Sequence, residues 1–305
     1  MTTPLIGISK STIKTKTLIK HVAQTCLNVL VTGETGVGKE VVAQNLYVNS
    51  MRASKKFVKI NCAALPETLL ESELFGYKKG AFTDACRTRP GKFQTADKGV
   101  LFLDEIGDMP MPLQSKILHI LQSGEFSPLG SDRNHKSDAW VIAATNQNLE
   151  EKIKNRTFRE DLFYRLNIIN IHIPPLRKRK EDIPSLIEYF YRSNKLEYPQ
   201  SQCSRPDSQM LTKLCNYPWP GNVRQLKNSI KKHMVFNSWE KILEELPREE
   251  CPRTSPILQG KGQINGSEPV INNPTKFASQ FIDLSSSPDQ LLEDLSLKEI
   301  KKLAS

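Results

Sequence analysis

The sequence predicts an α/β fold in which a parallel β-sheet is flanked by helices and followed by a small helical unit. Short apolar runs rich in β-branched residues alternate with helix-like stretches through the first two thirds of the chain. One of these runs leads directly into a glycine-rich loop that opens a helix. Folds of this type bind ligands at the carboxyl ends of their strands.

Five apolar runs are expected to form strands: Val29–Thr32, Phe57–Ile60, Val100–Asp104, Ala139–Ala144 and Ile168–Ile173. Between them, helical patterns cover Lys39–Val48, Glu67–Leu74 and Leu113–Leu121. The Pro174–Pro175 pair ends the last strand, because proline disfavours continuation of a regular element. The α/β part is therefore expected to cover residues 1–175.

A second, mostly helical unit is expected over residues 176–239, as a small lid. Its clearest helices are Ile183–Tyr191 and Asn222–Phe236, and a Pro218–Asn222 turn precedes the second of them. From residue 240 to 305 the composition shifts to recurrent proline among serine, glycine and asparagine. Such a segment is expected to be a linker, largely unfolded by itself.

Composition excludes several classes of protein. No apolar run approaches the length of a membrane span, and the N-terminus lacks the pattern of a secretion signal. Six cysteines without a CxxC pair argue against a disulfide framework or a zinc site and favour a reducing cytoplasm. The net charge is +10, and residues 240–305 are near −3. The basic body suits polyanion partners, although a solvated surface is an equal alternative.

A phosphate-binding loop is predicted directly after the first strand, over Gly33-Glu34-Thr35-Gly36-Val37-Gly38-Lys39-Glu40. Its glycines let backbone N–H groups face a phosphate chain, Lys39 supplies positive charge, and the helix N-terminus adds its partial charge. Glu40 stands where the general motif has Ser or Thr for magnesium. The metal is then expected to be held partly by water, by phosphate oxygens or by a nearby carboxylate. The alternative of a chance glycine turn is disfavoured by the flanking strand and helix.

The apolar run Val100–Asp104 ends in an acid, and a second acid, Glu105, follows directly. Asp104 is expected to hold Mg²⁺ through its water shell, and Glu105 to orient and polarise the attacking water. Alone this pattern is weak, but it follows the phosphate loop and the two together predict an NTPase. Thr145 and Asn146, at the end of another apolar run, could contact the γ-phosphate or that water, although, taken alone, a strand capped by a turn residue is the preferred explanation.

Glu73–Ala85 forms a different kind of loop, with glycines near either end and Phe82 between small residues. Such a loop can move and can press an aromatic ring against a partner. Taken in isolation, a phenylalanine buried beneath the loop is the simpler interpretation.

This segment resembles the GAFTGA loop of the bacterial enhancer-binding proteins, the NtrC-like activators of sigma-54. The resemblance covers roughly residues 5–237 and includes Gly33–Glu40, where that family typically carries Glu after the Lys. Further matches are Asn61–Leu65, Leu101–Asp108, Phe158–Leu166, Pro174–Arg177 and Trp219–Leu226. The resemblance implies an AAA+ P-loop three-layer α/β sandwich with a small C-terminal helical lid subdomain.

The resemblance also implies roles for single residues. Lys39 would bind the β- and γ-phosphates within the nucleotide-binding loop, with Asp104 and Glu105 as the Walker B acids. Asn61 would hold Glu105 away from the water in one nucleotide state, and Thr145 and Asn146 would sense the γ-phosphate. Three arginines complete the set: Arg159 and Arg165 as fingers that reach a neighbouring subunit, and Arg224 as the lid sensor. Without the family pattern, salt bridges to Glu160 or Asp161 would be the preferred explanation of Arg159 and Arg165.

One position departs from the family motif, because Asp84 stands where the motif has Gly. The substitution adds charge and removes backbone freedom at the loop tip. Phe82 and Thr83, which the resemblance assigns to sigma-54 contact, are intact, and we expect binding to survive.

The function implied by the resemblance is an ATP-hydrolysing, Mg²⁺-dependent transcription activator that remodels the sigma-54 RNA polymerase holoenzyme as a ring, expected to be a hexamer. Promoter DNA would be reached only indirectly, since no complete DNA-binding domain is recognisable in the sequence. Ser296–Leu303 could begin a further domain. Two alternatives stay open: another AAA+ motor, which would not need the loop at Phe82, and a regulator that binds nucleotide but no longer activates.

Overall fold

The computed structural model describes residues 3–83, 85–197, 204–239 and 242. Its centre is a five-stranded sheet whose paired strands all run parallel, as the alternating sequence pattern predicts. In chain order the strands are β1 (Val29–Thr32), β2 (Phe57–Asn61), β3 (Val100–Asp104), β4 (Trp140–Thr145) and β5 (Ile169–His172). Across the sheet they lie in the order β2-β3-β4-β1-β5. Strand β1, which leads into the phosphate loop, is therefore an interior strand.

Side chains of the central strands alternate between two apolar clusters, one on each face of the sheet. Leu101 and Leu103 of β3 belong to one cluster, whereas Val100 and Phe102 belong to the other. Successive side chains of a strand point to opposite faces, so a strand buried on both faces reads as a continuous apolar run. Helices cover both faces, and the predicted three-layer α/β sandwich is confirmed.

The helices of the described residues are α1 (Lys10–Val22), α2 (Lys39–Val48), α3 (Glu67–Phe75), α4 (Lys92–Thr95), α5 (Met111–Ser123), α6 (Leu149–Lys154), α7 (Glu160–Leu166), α8 (Asp182–Glu197), α9 (Ser208–Asn216) and α10 (Asn222–Phe236). Single turns of 3₁₀ helix lie at Ile106–Asp108 and Leu176–Lys178. Two short hairpins pair Gly76–Tyr77 with Arg89–Pro90, and Glu125–Phe126 with His135–Lys136.

Helix α5 is longer than the pattern predicts at both ends. It begins at Met111 rather than Leu113, because Pro112 is tolerated in the first turn, where its missing N–H has no intrahelical partner. It ends before Gly124, which has a left-handed conformation.

The lid consists of α8, α9 and α10. Trp219 is completely buried in it, and its indole N–H donates to the carbonyl oxygen of Leu214 at 2.8 Å. Trp219 and Asn222 both have positive φ angles, which turn the chain sharply into α10. The boundary between residues 175 and 176 stays a prediction, because the contacts group Met1–Leu243 into one compact unit. The predicted linker over residues 240–305 lies outside the described residues, apart from Ile242.

A buried carboxylate joins the N-terminal segment to the lid. Asp182, at the start of α8, accepts hydrogen bonds from the backbone N–H groups of Ile8 and Ser9 at 2.6 and 2.7 Å. It also accepts from the hydroxyls of Ser9 and Thr12 at 2.9 and 2.6 Å. The lid and the segment before α1 are thus held together by one side chain.

None of the helices in the described part of the chain is long and apolar enough to cross a membrane.

Candidate functional site

The phosphate loop connects β1 to α2 in the geometry that its sequence predicts. Gly33 has a φ of +150°, and a Cβ there would lie 2.6 Å from the carbonyl oxygen of Ile173. Gly36 has a φ of +82°, and its Cβ would lie 2.5 Å from the carbonyl oxygen of Gly221 in the lid. Both positions therefore require glycine, the first for the turn out of the strand and the second for close approach of the lid.

Lys39 begins α2 and is nearly buried, with its side chain 7% exposed. Its ammonium donates to the carbonyl oxygen of Gly33 at 3.0 Å and lies 3.4 Å from a carboxylate oxygen of Glu105. Lys39 thus contacts the backbone of its own loop and connects that loop to Glu105 at the end of β3.

Asp104 and Glu105 lie at the carboxyl end of β3, where the predicted site requires them. Burial raises the pKa of Asp104, whereas the nearby Lys59 ammonium opposes that rise. Glu105 adopts a left-handed backbone conformation with a φ of +52°. Its carboxylate accepts a hydrogen bond from the backbone N–H of Asn146 at 3.1 Å. The two acids are consequently held apart, one in the strand and one turned toward Lys39 and β4.

Thr145 and Asn146 occupy different environments at the end of β4. Thr145 is completely buried, and its hydroxyl accepts from the backbone N–H of Gln147 at 3.0 Å. Asn146 is exposed, and its side-chain amide donates to the hydroxyl of Thr35 in the phosphate loop at 2.9 Å. Of the two predicted sensor residues, Asn146 is the one whose side chain contacts the loop.

Asn61 ends β2 directly beside Asp104 in the sheet register. Its side-chain oxygen accepts from the backbone N–H of Ala63 at 2.9 Å. Glu105 is instead held by Lys39 and the Asn146 backbone in this conformation. The proposed switch between Asn61 and Glu105 therefore stays a prediction about another nucleotide state.

Arg159 directly precedes α7, and Arg165 lies in the last turn of that helix. Arg159 donates to the Asp161 carboxylate at 3.0 and 2.7 Å and to the Ser115 hydroxyl at 2.9 Å. Hydrogen bonding to Asp161 raises the pKa of Arg159. Arg165 donates twice to the carbonyl oxygen of Leu121, at 3.1 and 2.9 Å. Arg159 makes the Asp161 ion pair that the sequence leaves open as an alternative, and the finger role of both arginines stays a prediction.

The lid contacts the phosphate loop through residues that sequence reasoning did not single out. Arg177 donates to both carboxylate oxygens of Glu34, at 2.6 and 2.8 Å. The Asn222 amide donates to Glu34 at 3.1 Å and to the carbonyl oxygen of Thr35 at 3.0 Å. The hydrogen bond from Arg177 is the largest influence that lowers the pKa of Glu34 to about 2. Arg177 and Asn222 lie in two of the segments that match the family, Pro174–Arg177 and Trp219–Leu226. That match is the sequence signal from which both residues could have been predicted.

Arg224 joins this contact through its backbone. Its N–H donates to the carbonyl oxygen of Gly36 at 3.2 Å, whereas its side chain is exposed. The arrangement places the first turn of α10 directly on the phosphate loop and leaves the guanidinium available to a ligand.

Lys59 is a third residue that the sequence did not lead us to expect at the site. It lies in the middle of β2, and its ammonium is 2.6 Å from Glu40 and 3.8 Å from Asp104. The signal was a single charge between Val58 and Ile60 in an otherwise apolar strand, two residues before Asn61.

The carboxylates of this region suit a magnesium ion that keeps part of its water shell. Glu40, Asp104 and Glu105 supply oxygen donors, which Mg²⁺ prefers, and Mg²⁺ is usually bound by one or two carboxylates together with substrate phosphates. Within the described residues no group of three His, Cys, Asp or Glu side chains forms a ready metal cage. Those residues therefore fit a metal that arrives with phosphate oxygens.

The loop with the family motif projects Phe82 outward. The loop is closed at its neck by a hydrogen bond from the Gly80 N–H to the Ala85 carbonyl oxygen at 2.9 Å. Phe82 is 43% exposed, and its ring centroid lies 4.9 Å from that of Tyr77. Thr83 is also exposed, whereas Asp84 lies outside the described residues. The interpretation of Phe82 as a residue buried beneath the loop is therefore wrong.

The parallel sheet, the phosphate loop and the helical lid together define an α/β P-loop domain of the AAA+ class. The chain belongs to the family described as the Sigma-54 interaction domain, whose model matches residues 5–172. A second model, described as the AAA+ ATPase lid domain, matches residues 177–255.

Curated relatives agree with this membership. The regulatory protein AtoC of Escherichia coli (strain K12) is 49% identical over 221 residues, which cover 72% of this chain and 48% of AtoC. The DNA-binding transcriptional regulator NtrC of Rhizobium meliloti (strain 1021) is 39% identical over 305 residues, which cover 98% of this chain and 62% of that protein. The chain thus spans about half of the length of the first relative and somewhat more of the second.

A solved structure shares the fold. NtrX from Brucella abortus in complex with ATP superposes with a TM-score of 0.71 at 36% sequence identity. The match covers 77% of this chain and 53% of NtrX.

Proposed function

We propose that this chain binds and hydrolyses ATP and uses the hydrolysis to remodel the closed sigma-54 RNA polymerase–promoter complex into the open one. The observation that carries the proposal is the arrangement beside the phosphate loop: Lys39 lies 3.4 Å from a carboxylate oxygen of Glu105, and that carboxylate accepts a hydrogen bond from the backbone N–H of Asn146. The exposed Phe82 lies on a loop of the same subunit. Membership in the sigma-54 interaction family supports the choice of partner.

Each residue of the site has a part in this reaction. The backbone N–H groups of the phosphate loop and Lys39 would bind the phosphates, and Glu105 would orient and polarise the attacking water. Magnesium would neutralise phosphate charge when it is bound beside Asp104 and Glu40. Asn146, already bonded to Thr35, would contact the γ-phosphate. Arg224 would approach from the lid.

Hydrolysis would also need a neighbouring subunit. We infer that Arg159 and Arg165 act in the active site of the next subunit of a ring, expected to be a hexamer. Arginine fingers neutralise charge that develops on the transferring phosphoryl group and raise rates by about 10³ or more. Both arginines have hydrogen-bond partners in their own chain, so insertion would exchange those partners for phosphate oxygens.

Native gel electrophoresis with sigma-54 and ADP–aluminium fluoride tests the proposal. We expect a complex that depends on the nucleotide mimic and that is lost in Phe82→Ala. The Phe82→Ala variant should still hydrolyse ATP, since Phe82 is exposed and its ring packs against Tyr77, on a loop separate in sequence from the phosphate loop. A matched control is Phe236→Ala, which removes another exposed phenylalanine, 59% exposed at the end of α10. Absence of the complex with wild-type protein would contradict the proposed partner.

One residue favours a second candidate function. Asp84 replaces the glycine of the family motif beside Phe82 and Thr83. If ATP is hydrolysed but no complex with sigma-54 forms, a nucleotide-binding regulator that no longer activates becomes the better description. An Asp84→Gly variant that gains the complex would then assign the loss to this position.

A further inference from the structure

Lys59 is placed between the two acidic residues that flank the predicted metal position. Its ammonium lies 2.6 Å from Oε2 of Glu40 and 3.8 Å from Oδ2 of Asp104. Glu40 follows the phosphate-loop lysine, at the position that contacts magnesium in the general motif, and Asp104 ends β3. The positive charge of Lys59 therefore stands close to where a divalent cation would bind.

The two lysines of the site are held very differently. Lys39 is 7% exposed and is tied to the Gly33 carbonyl oxygen and to Glu105. The Lys59 side chain is 37% exposed, and the Glu40 carboxylate is 43% exposed. The Lys59 ammonium lies over the Phe102 ring, with Nζ 6.0 Å from the ring centroid. Lys59 can consequently swing into solvent without disturbing the backbone of the loop, whereas Lys39 cannot.

We propose that Lys59 is a displaceable counter-ion of the metal site: it neutralises Glu40 and Asp104 when no metal is bound and moves to solvent when Mg²⁺ enters. The inference rests on the proposed nucleotide binding. It adds a residue that sets how strongly nucleotide binding depends on the metal.

The physical reason is competition for the same carboxylates. A divalent cation and an ammonium group that share two carboxylates repel each other strongly at the effective dielectric of a partly buried site. Metal entry must therefore break the contacts of Lys59, and that loss weakens the apparent metal affinity. Without Lys59 the metal-free site would hold uncompensated carboxylates, which repel nucleotide phosphates. Removing Lys59 therefore strengthens metal binding and weakens metal-free nucleotide binding, and both changes make nucleotide affinity depend more steeply on Mg²⁺.

Lys59→Met tests this inference, because methionine keeps an unbranched apolar stem and removes the charge. The measured quantity is the ratio of the dissociation constant of ADP in EDTA to that in saturating Mg²⁺, obtained by calorimetry. Since exposed ion pairs contribute modestly, we expect the ratio to rise by about threefold to fivefold. A general folding defect would lower both affinities together, so it could not by itself produce a rise in the ratio.

Three further variants make the result specific. Lys59→Arg keeps the charge and should retain the wild-type ratio, whereas Lys59→Gln should reproduce the rise if charge, rather than side-chain shape, is responsible. Lys136→Met is the matched control, because Lys136 pairs with Glu125 at 3.1 Å in a hairpin and is 80% exposed. It should leave the ratio unchanged.

The outcomes separate this inference from the function on which it rests. Failure of the wild-type protein to bind ADP in either buffer would contradict the proposed nucleotide binding itself. If wild-type protein binds ADP but the charge-neutral variants leave the ratio unchanged or lower it, Lys59 does not compete with the metal and the inference is wrong.

Discussion

Glu34 is the residue through which the phosphate loop contacts the lid. Its carboxylate accepts from Arg177 and Asn222, which lie in two separate segments of the chain. We expect Glu34→Gln to weaken the ion pair with Arg177 and to lower the free energy of unfolding by less than about 1 kcal/mol, since both side chains are 42% exposed.

The pH dependence of this effect has a definite sign. The folded-state pKa of Glu34 is about 2, below its ordinary value of 4.5, so the pair stabilises the fold above pH 4.5. That contribution should be lost as the pH falls from 4.5 toward 2. The measurement is the difference in unfolding free energy between wild-type and Glu34→Gln protein across this window. A double-mutant cycle with Arg177→Met isolates the pair, and a difference that grows on acidification would refute the assignment.

Residues differ in how well the sequence predicts their roles. Lys39, Asp104 and Glu105 could be placed at one site because strand ends of a parallel sheet meet at one edge. The contacts of Glu34 with Arg177 and Asn222 could not be predicted, since they join positions separated by 143 and 188 residues. No local pattern encodes such an approach. The conformations of Asn61 and Asp161 likewise depend on packing that a motif does not specify.

At the scale of elements, the sequence predicts the sheet better than the helices. Strands β1 and β3 have the predicted bounds, because burial on both faces makes their apolar runs continuous. Helix α1 is missed because its buried positions include Thr12 and Thr15, so the apolar periodicity is interrupted. Ser9 caps its N-terminus, and the Ser9 hydroxyl accepts a hydrogen bond from the Thr12 N–H at 3.3 Å.

The packing of α10 against the phosphate loop makes a prediction at this scale. Gly36→Ala would place a Cβ 2.5 Å from the Gly221 carbonyl oxygen and 3.1 Å from the Arg224 Cβ. The lid must then move, and the hydrogen bond from the Arg224 N–H to Gly36 should open. We expect amide exchange at Arg224 to accelerate by about tenfold, in line with the loss of one hydrogen bond.

Gly38→Ala is the matched control for this variant. Gly38 also has a positive φ, +109°, but a Cβ there would meet nothing within 4 Å. Both substitutions strain the backbone, and only the one at Gly36 forces the lid away. Equal exchange rates at Arg224 in the two variants would show that α10 does not depend on this close approach.

At the scale of the whole molecule, the active site that we propose would be completed by another subunit. Lys39 and Glu105 belong to one chain, whereas Arg159 and Arg165 have no hydrogen bond to the phosphate loop of their own chain among the described residues. A ring of identical subunits with head-to-tail interfaces would bring the arginines of each chain to the loop of the next. Neither residue set is then sufficient alone.

Mixing two inactive variants tests this arrangement. Lys39→Ala lacks a working phosphate loop but keeps Arg159, whereas Arg159→Ala keeps the loop and lacks the finger; each alone should hydrolyse ATP at least about 10²-fold more slowly than wild type. In an equal mixture with random assembly, about one interface in four joins an intact loop to an intact finger. Phosphate release should therefore recover to about a quarter of the wild-type rate. A mixture no more active than its components would place both sets of residues in the same subunit's site and would contradict the ring.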